Sequence, residues 1–235
     1  MDRYPRSDST IIQQGSRLQT YMAQVYGWMT CGLLLTGFVA WYAANTPALM
    51  GYIFSGRFIF FGLIIAQLAL VFVISGMVHK LSPGVATGLF MLYSALTGLT
   101  FSSIFLVYTN SSIASTFMVT GGMFGSMSFY GYTTRRDLSK IGSLLFMALI
   151  GLFLASLVNM WLKSAPLMWA ITYIGVFIFV GLTAYDTQKL KNLGARIDTR
   201  DSVQMRRYSI LGALTLYLDF INLFMMLLRL FGNRR

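Results

Sequence analysis

Seven stretches of this chain are apolar over roughly 20 residues, the length a helix needs to cross a hydrocarbon layer about 30 Å thick. They lie at about 22–45, 58–78, 84–107, 112–132, 142–162, 167–190 and 209–230. Lipid offers no water to bare peptide groups, so a crossing segment outside a closed barrel must bond its own backbone as a helix. The prolines agree with these limits. Pro5 lies in the polar start of the chain, and Pro47, Pro83 and Pro166 all fall between apolar runs. A missing N–H is tolerated at the first turn of a helix, and Ser82-Pro83 reads as a cap followed by the first helical residue. With 56% hydrophobic and 11% charged residues and a mean hydropathy of +0.66, the expectation is an all-α membrane protein with seven transmembrane helices.

The charges set the expected orientation. The formal net charge is +11. These cations gather at the ends of apolar runs, where anionic headgroups and the topology signal account for them, so nucleic acid is not implied. Thirteen Lys and Arg fall on the side of the N-terminal tail, the 4–5 connection and the 6–7 connection, and five on the other. The expectation is a cytoplasmic N-terminus and an outer C-terminus. Residues 1–21 read as a cytoplasmic tail, polar over its first 20 residues and lacking the apolar core of a signal peptide. Residues 22–235 read as a single transmembrane domain, because the longest connection, about 190–208, is too short to fold alone. The single cysteine, Cys31, gives neither a disulfide framework nor a thiolate metal site.

All seven acidic residues are aspartates. Asp2, Asp8, Asp137, Asp198 and Asp201 fall in tails or connections, but Asp186 and Asp219 sit in the last two apolar runs. A carboxylate at the centre of a membrane helix costs about 2.5–3.5 kcal/mol on the insertion scale, which makes it a functional candidate. The two helices are antiparallel neighbours, so the carboxyl groups can reach similar depth and meet. Gly194 is expected to act as a left-handed stop for the sixth helix. Two facing carboxyl groups in low dielectric cannot both ionise cheaply, and the pair titrates in two macroscopic steps. Such a pair suits a proton-sensitive latch or a weak calcium contact, since calcium takes six to eight oxygen ligands. The alternative is a neutral hydrogen-bonded pair that only fixes helix register. Asn222, at i+3 from Asp219, and Tyr185 are polar neighbours of the pair. His79 and Lys80 end the second run and are either a solvated helix terminus or partners of the aspartates.

Small residues mark packing faces. Gly121, Gly122 and Gly125 in the fourth run, and Ser94, Gly98, Ser102 and Ser103 in the third, predict close helix–helix approach. Trp41, Trp161 and Trp169 fall near span ends and fit an interfacial belt.

Ala213-Leu214-Thr215-Leu216-Tyr217-Leu218-Asp219-Phe220-Ile221-Asn222-Leu223-Phe224 resembles the last-helix signature of the Bax inhibitor family. Tyr185-Asp186-Thr187-Gln188 resembles that family's sixth-helix motif, and Arg136-Asp137-Leu138-Ser139 its stretch before the fifth helix. The likeness covers nearly everything after about residue 20 and is strongest to bacterial inner-membrane members. It implies helix seven at the centre with the other six around it, and a pH-sensitive calcium leak controlled by Asp186 and Asp219. In a bacterial relative of known structure, a basic residue at the end of helix two pairs with the sixth-helix aspartate in the closed state. The corresponding place here holds His79 and Lys80, and a histidine there would add a second group titrating near neutrality. Some relatives are linked to membrane proteases, which leaves a regulator that binds another membrane protein as the alternative function.

An intramembrane aspartyl protease would also place Tyr-Asp in one helix and Asp in the next. Here the second aspartate follows Leu216-Tyr217-Leu218, without the Gly-x-Gly that admits a substrate, and no Pro-Ala-Leu element comes after it. The expectation is a protein that is not an enzyme and takes no cofactor. Its partners are calcium or another cation, the lipid bilayer and a membrane protease.

Overall fold

The computed structural model describes residues 6–197 and 201–235, so residues 1–5 of the expected tail, and Asp198 and Arg200 of the long connection, lie outside the described residues. Within them the chain folds into α1 (Arg6–Ala44), α2 (Pro47–Ser55), α3 (Arg57–Met77), α4 (Pro83–Phe101), α5 (Ile104–Val107), α6 (Asn110–Thr133), α7 (Ser139–Leu162), α8 (Ala165–Gly194) and α9 (Ser202–Phe231). No strand accompanies them among the described residues, apart from an isolated antiparallel bridge between Tyr108 and Arg234.

Six helical stretches are long and apolar enough to cross a membrane: Arg17–Ala44, Phe58–Met77, Pro83–Val107, Ser139–Leu162, Ala165–Gly194 and Ser202–Phe231. The remaining expected run, 112–132, forms α6. Its 24 residues are long enough, at about 36 Å, but serines, threonines and glycines dilute its hydropathy. Several of its hydroxyls are answered within the helix. Thr120 Oγ1 donates to the Thr116 carbonyl at 2.7 Å and Ser126 Oγ to that of Gly122 at 2.8 Å.

Three boundaries differ from expectation. α1 is helical from Arg6 rather than from about residue 22, and α9 begins at Ser202 rather than 209, so both project beyond their apolar parts. The run at 84–107 breaks at Ser102-Ser103 into α4 and α5, where both hydroxyls bond carbonyls one turn back. Gly194 closes α8, but no glycine among the described residues has a positive φ, so it is not a left-handed stop. A Cβ there would collide with Tyr21 of α1 and come within 3.1 Å of Leu18, so close approach is what this glycine supplies.

Capping follows the sequence elsewhere. Ser82 Oγ accepts from Val85 N at 3.3 Å ahead of Pro83, and Pro47 and Pro166 sit in the first turns of α2 and α8. Thr109, Ser164 and Asp201 cap α6, α8 and α9 through their side-chain oxygens.

Burial distinguishes the elements. In the most apolar stretch of α9, 67% of residues are buried, against 6% in α3 and 11% in α7. α9 packs against α1, α3, α4, α6 and α8, whereas α7 rests chiefly on α8. Tyr217 of α9 is fully buried, edge-on to Phe90 and Tyr93, and its hydroxyl meets Thr36 Oγ1 at 2.6 Å. Thr36 in turn donates to the Ser94 carbonyl at 2.9 Å, which ties α1, α4 and α9 together. Gly98 packs as expected, with Thr36 and Val39 against it. Gly121, Gly122 and Gly125 do not: a Cβ on any of them would meet open space, because α6 turns Gly131 to its partner α8 instead.

Candidate functional site

The motif Tyr185-Asp186-Thr187-Gln188 runs once around α8, and successive residues of a helix point about 100° apart. Each of the four therefore addresses a different neighbour. The Tyr185 ring lies over Gly142 of α7, where any side chain would strike it. Thr187 is fully buried, and its hydroxyl joins Ser128 of α6 at 2.8 Å, which continues to the Tyr26 hydroxyl of α1 at 2.7 Å. Gln188 holds the stretch before α7: its Oε1 accepts from Leu138 N at 2.9 Å and its Nε2 donates to the Arg136 carbonyl at 2.8 Å. Lys191, one turn from Thr187, donates to the Tyr132 carbonyl at 2.6 Å.

The fourth direction is that of Asp186, which looks toward α9. Its carboxyl group and that of Asp219 are near enough to act on each other electrostatically. Asp219 is 5% exposed, and its Oδ2 has no hydrogen-bond partner. Both aspartates line a cavity of about 870 Å³ between α7, α8 and α9, together with Tyr185, Lys189 and Asn222. Its α7 wall is apolar, with Phe146, Ile150 and Phe153 each about half exposed or more. Because α7 leans on α8, the gap between α7 and α9 is left open to the outside of the bundle along this apolar wall.

The remaining expected residues are distributed as follows. Asn222 lines the cavity while its Nδ2 donates back to the Leu218 carbonyl at 2.8 Å. His79 does not reach the aspartates. Its Nδ1 pairs with the Tyr208 hydroxyl at 3.2 Å, with the rings edge to face. Tyr208 stands 11 residues before Asp219 on α9, about 16 Å along the helix. Lys80 is exposed and does not line the cavity. The cation whose charge acts on Asp186 is Lys189, three residues on, which lies 6.0 Å from the centre of the Tyr185 ring. The sequence signal for it was the i,i+3 spacing, overshadowed by reading every cation near a helix end as a topology mark.

Among the described residues, no three His, Cys, Asp or Glu side chains gather as a metal site. Besides the two carboxyl groups, the side-chain oxygens that the described residues bring to the cavity lining are hydroxyl and amide oxygens, from Ser143, Thr215, Tyr185 and Asn222. That is a donor set for passing contact with a hard cation rather than for tight capture.

Comparison with known proteins shows the family. A family model described as "Inhibitor of apoptosis-promoting Bax1" matches residues 18–235. The inner membrane protein YbhL of Escherichia coli is 74% identical over 235 residues, all of both chains. An uncharacterized protein of Borreliella burgdorferi is 46% identical over 215 residues, 92% of each chain. An uncharacterized membrane protein of Streptococcus pyogenes is 37% identical over 220 residues, 92% of this chain and 93% of the relative. The family match across the chain, the inner-membrane relative at 74% identity and the apolar helices converge: this is a multi-pass inner-membrane protein belonging to the Bax inhibitor family.

Proposed function

We propose that the protein is a pH-sensitive leak for calcium or a similar cation, with Asp186 and Asp219 as its proton-responsive element. The observation that carries this reading is that both carboxyl groups line one cavity among helices long and apolar enough to cross a membrane. Two carboxyl groups in mutual reach share a proton and titrate as a unit. Deprotonation of both creates a double negative charge, which attracts a cation and repels its own halves. A change in proton count thereby changes both the spacing of α8 and α9 and the affinity for a passing ion. In this reading α6 also crosses, which brings the crossings to seven, α9 is the central helix, and the basic side faces the cytoplasm, as supported by the thirteen-to-five distribution of Lys and Arg.

The test is calcium flux into liposomes holding the purified protein, from about pH 5 to 8, a range that brackets ordinary histidine titration and the raised values reached by buried carboxyl groups. Wild type should conduct with a pH dependence that Asp219→Asn and Asp186→Asn abolish, while Asp198→Asn leaves it in place. Flux equal to that of protein-free liposomes at every pH rejects the leak.

A second reading is a regulator that docks on another membrane protein. It is favoured by Gly121, Gly122 and Gly125, which leave a smooth exposed strip on α6. Loss of a co-purifying membrane protease in Gly122→Leu, with flux unchanged, would support it. An aspartyl protease is not supported: the chain's Pro-Ala-Leu triplet, Pro47-Ala48-Leu49, opens α2, which packs on α1 and α3 rather than beside the aspartates.

A further inference from the structure

A second, smaller cavity of about 240 Å³ lies at the basic end of the bundle, lined by Ser139, Tyr185, Gln188, Lys189, Asn192 and Arg196. Among the described residues no acidic side chain lines it, and the charge of Lys189 acts on Asp186 next door. Two cations and the neutral donors of Ser139 and Asn192 therefore face one small space. That is the chemistry of a phosphate site, since charge-assisted hydrogen bonds to phosphate oxygens are the strong ones. Tyr185 and Lys189 also line the aspartate cavity, so the two spaces adjoin through them.

The adjoining cleft has the opposite character. From Ser139 to Phe153 the α7 wall runs 14 residues, about 21 Å at the helical rise. That is the depth of one hydrocarbon leaflet, about 15 Å, plus part of its headgroup layer. Phe146, Ile150 and Phe153 project from this wall into a gap that opens to the outside of the bundle. A cationic pocket at the interface continued by an apolar groove one leaflet deep matches one kind of molecule.

We propose that these two spaces form a single site for an anionic phospholipid. Its phosphate lies between Lys189 and Arg196, and an acyl chain follows the α7–α9 cleft past Asp186 and Asp219. The lipid then separates the aspartates from the bulk bilayer, and its headgroup competes with Asp186 for Lys189. The proposal stands whether or not ions pass, because its readout is binding.

The test is native mass spectrometry of the full chain in detergent, titrated with phosphatidylglycerol, phosphatidylcholine or glycerol 3-phosphate. Wild type is expected to retain one phosphatidylglycerol in preference to phosphatidylcholine, and to ignore glycerol 3-phosphate at matched concentration. Removing both cations in the double variant Lys189→Gln with Arg196→Gln should weaken phosphatidylglycerol binding about thirtyfold, from the worth of two basic residues at a membrane surface. Ile150→Trp, which fills the groove and leaves the cations in place, should weaken it as well. Lys80→Gln with Arg135→Gln removes two charges elsewhere at the basic end and should change nothing. Retention by the Lys189/Arg196 variant equal to wild type overturns the proposal, as does equal loss in the Lys80/Arg135 variant. Displacement of the lipid by glycerol 3-phosphate at matched concentration also overturns it, and identifies a site for a free phosphate ester.

Discussion

At the scale of single residues, the sixth-helix motif spends each of its four side chains on a different neighbour, and close approach of those neighbours depends on glycines. Gly131 touches the backbone of Ala184, so an added methyl meets atoms that cannot rotate away. Gly131→Ala is therefore expected to lose about 1–3 kcal/mol of stability. Gly121→Ala, with open space around it, should stay within about 0.5 kcal/mol or gain slightly from helix propensity. Thermal unfolding of the two variants side by side checks this. The two aspartates were legible in the chain because a carboxyl group in an apolar run is costly enough to need a reason. Their turning to one cavity depended on helix rotation, which apolar runs on all sides do not encode. The role of Lys189 was hidden because position relative to Asp186 matters more for it than position relative to the membrane edge.

At the scale of elements, helix ends carry the testable content. Asp137 precedes α7 and is fully exposed, with its Oδ1 accepting from Ser139 N at 2.9 Å. Hydrogen bonds from Ser139 hold its carboxyl below the ordinary range. A lowered folded-state value means the contribution is present above the unfolded value, about 3.9, and is lost as pH falls through the folded one. Asp137→Asn should be less stable than wild type at neutral pH, and the difference should vanish in acid; denaturation at several pH values measures it. At the other end of α7, Lys163 takes the left-handed conformation with φ 50°. A side chain there costs about 1 kcal/mol, so Lys163→Gly should raise the unfolding midpoint. The sequence showed proline and serine caps plainly, because those residues have few other uses at such places. It misled at Gly194, where a glycine past the apolar run resembled a stop and instead admits the Tyr21 ring.

For the whole molecule, the apolar runs located the bundle, since length and hydropathy are properties of composition. They underestimated α1 and α9, whose polar ends continue as helix outside the apolar window. The number of crossings turns on α6, and topology decides it. In a Cys31→Ser background, cysteines placed at Ser202 and Asn233 flank α9, while one at Ala44 reports the far end of α1. Seven crossings require Ala44 and Asn233 on the side opposite Ser202, with Thr134 on the same side as Ser202. If α6 does not cross, Thr134 shares a side with Asn110. Labelling of intact and opened vesicles by a membrane-impermeant thiol reagent separates these outcomes.

The most buried helix comes after every helix it packs against. During synthesis α1, α4 and α6 leave the translocation machinery before Tyr217, Phe220 and Phe224 exist to fill the space among them. Thr36 waits without the tyrosine hydroxyl it will meet. Biogenesis of this protein therefore has a late commitment point, and nascent chains halted before α9 should be held open as clients of insertases and quality-control proteases rather than as smaller stable folds.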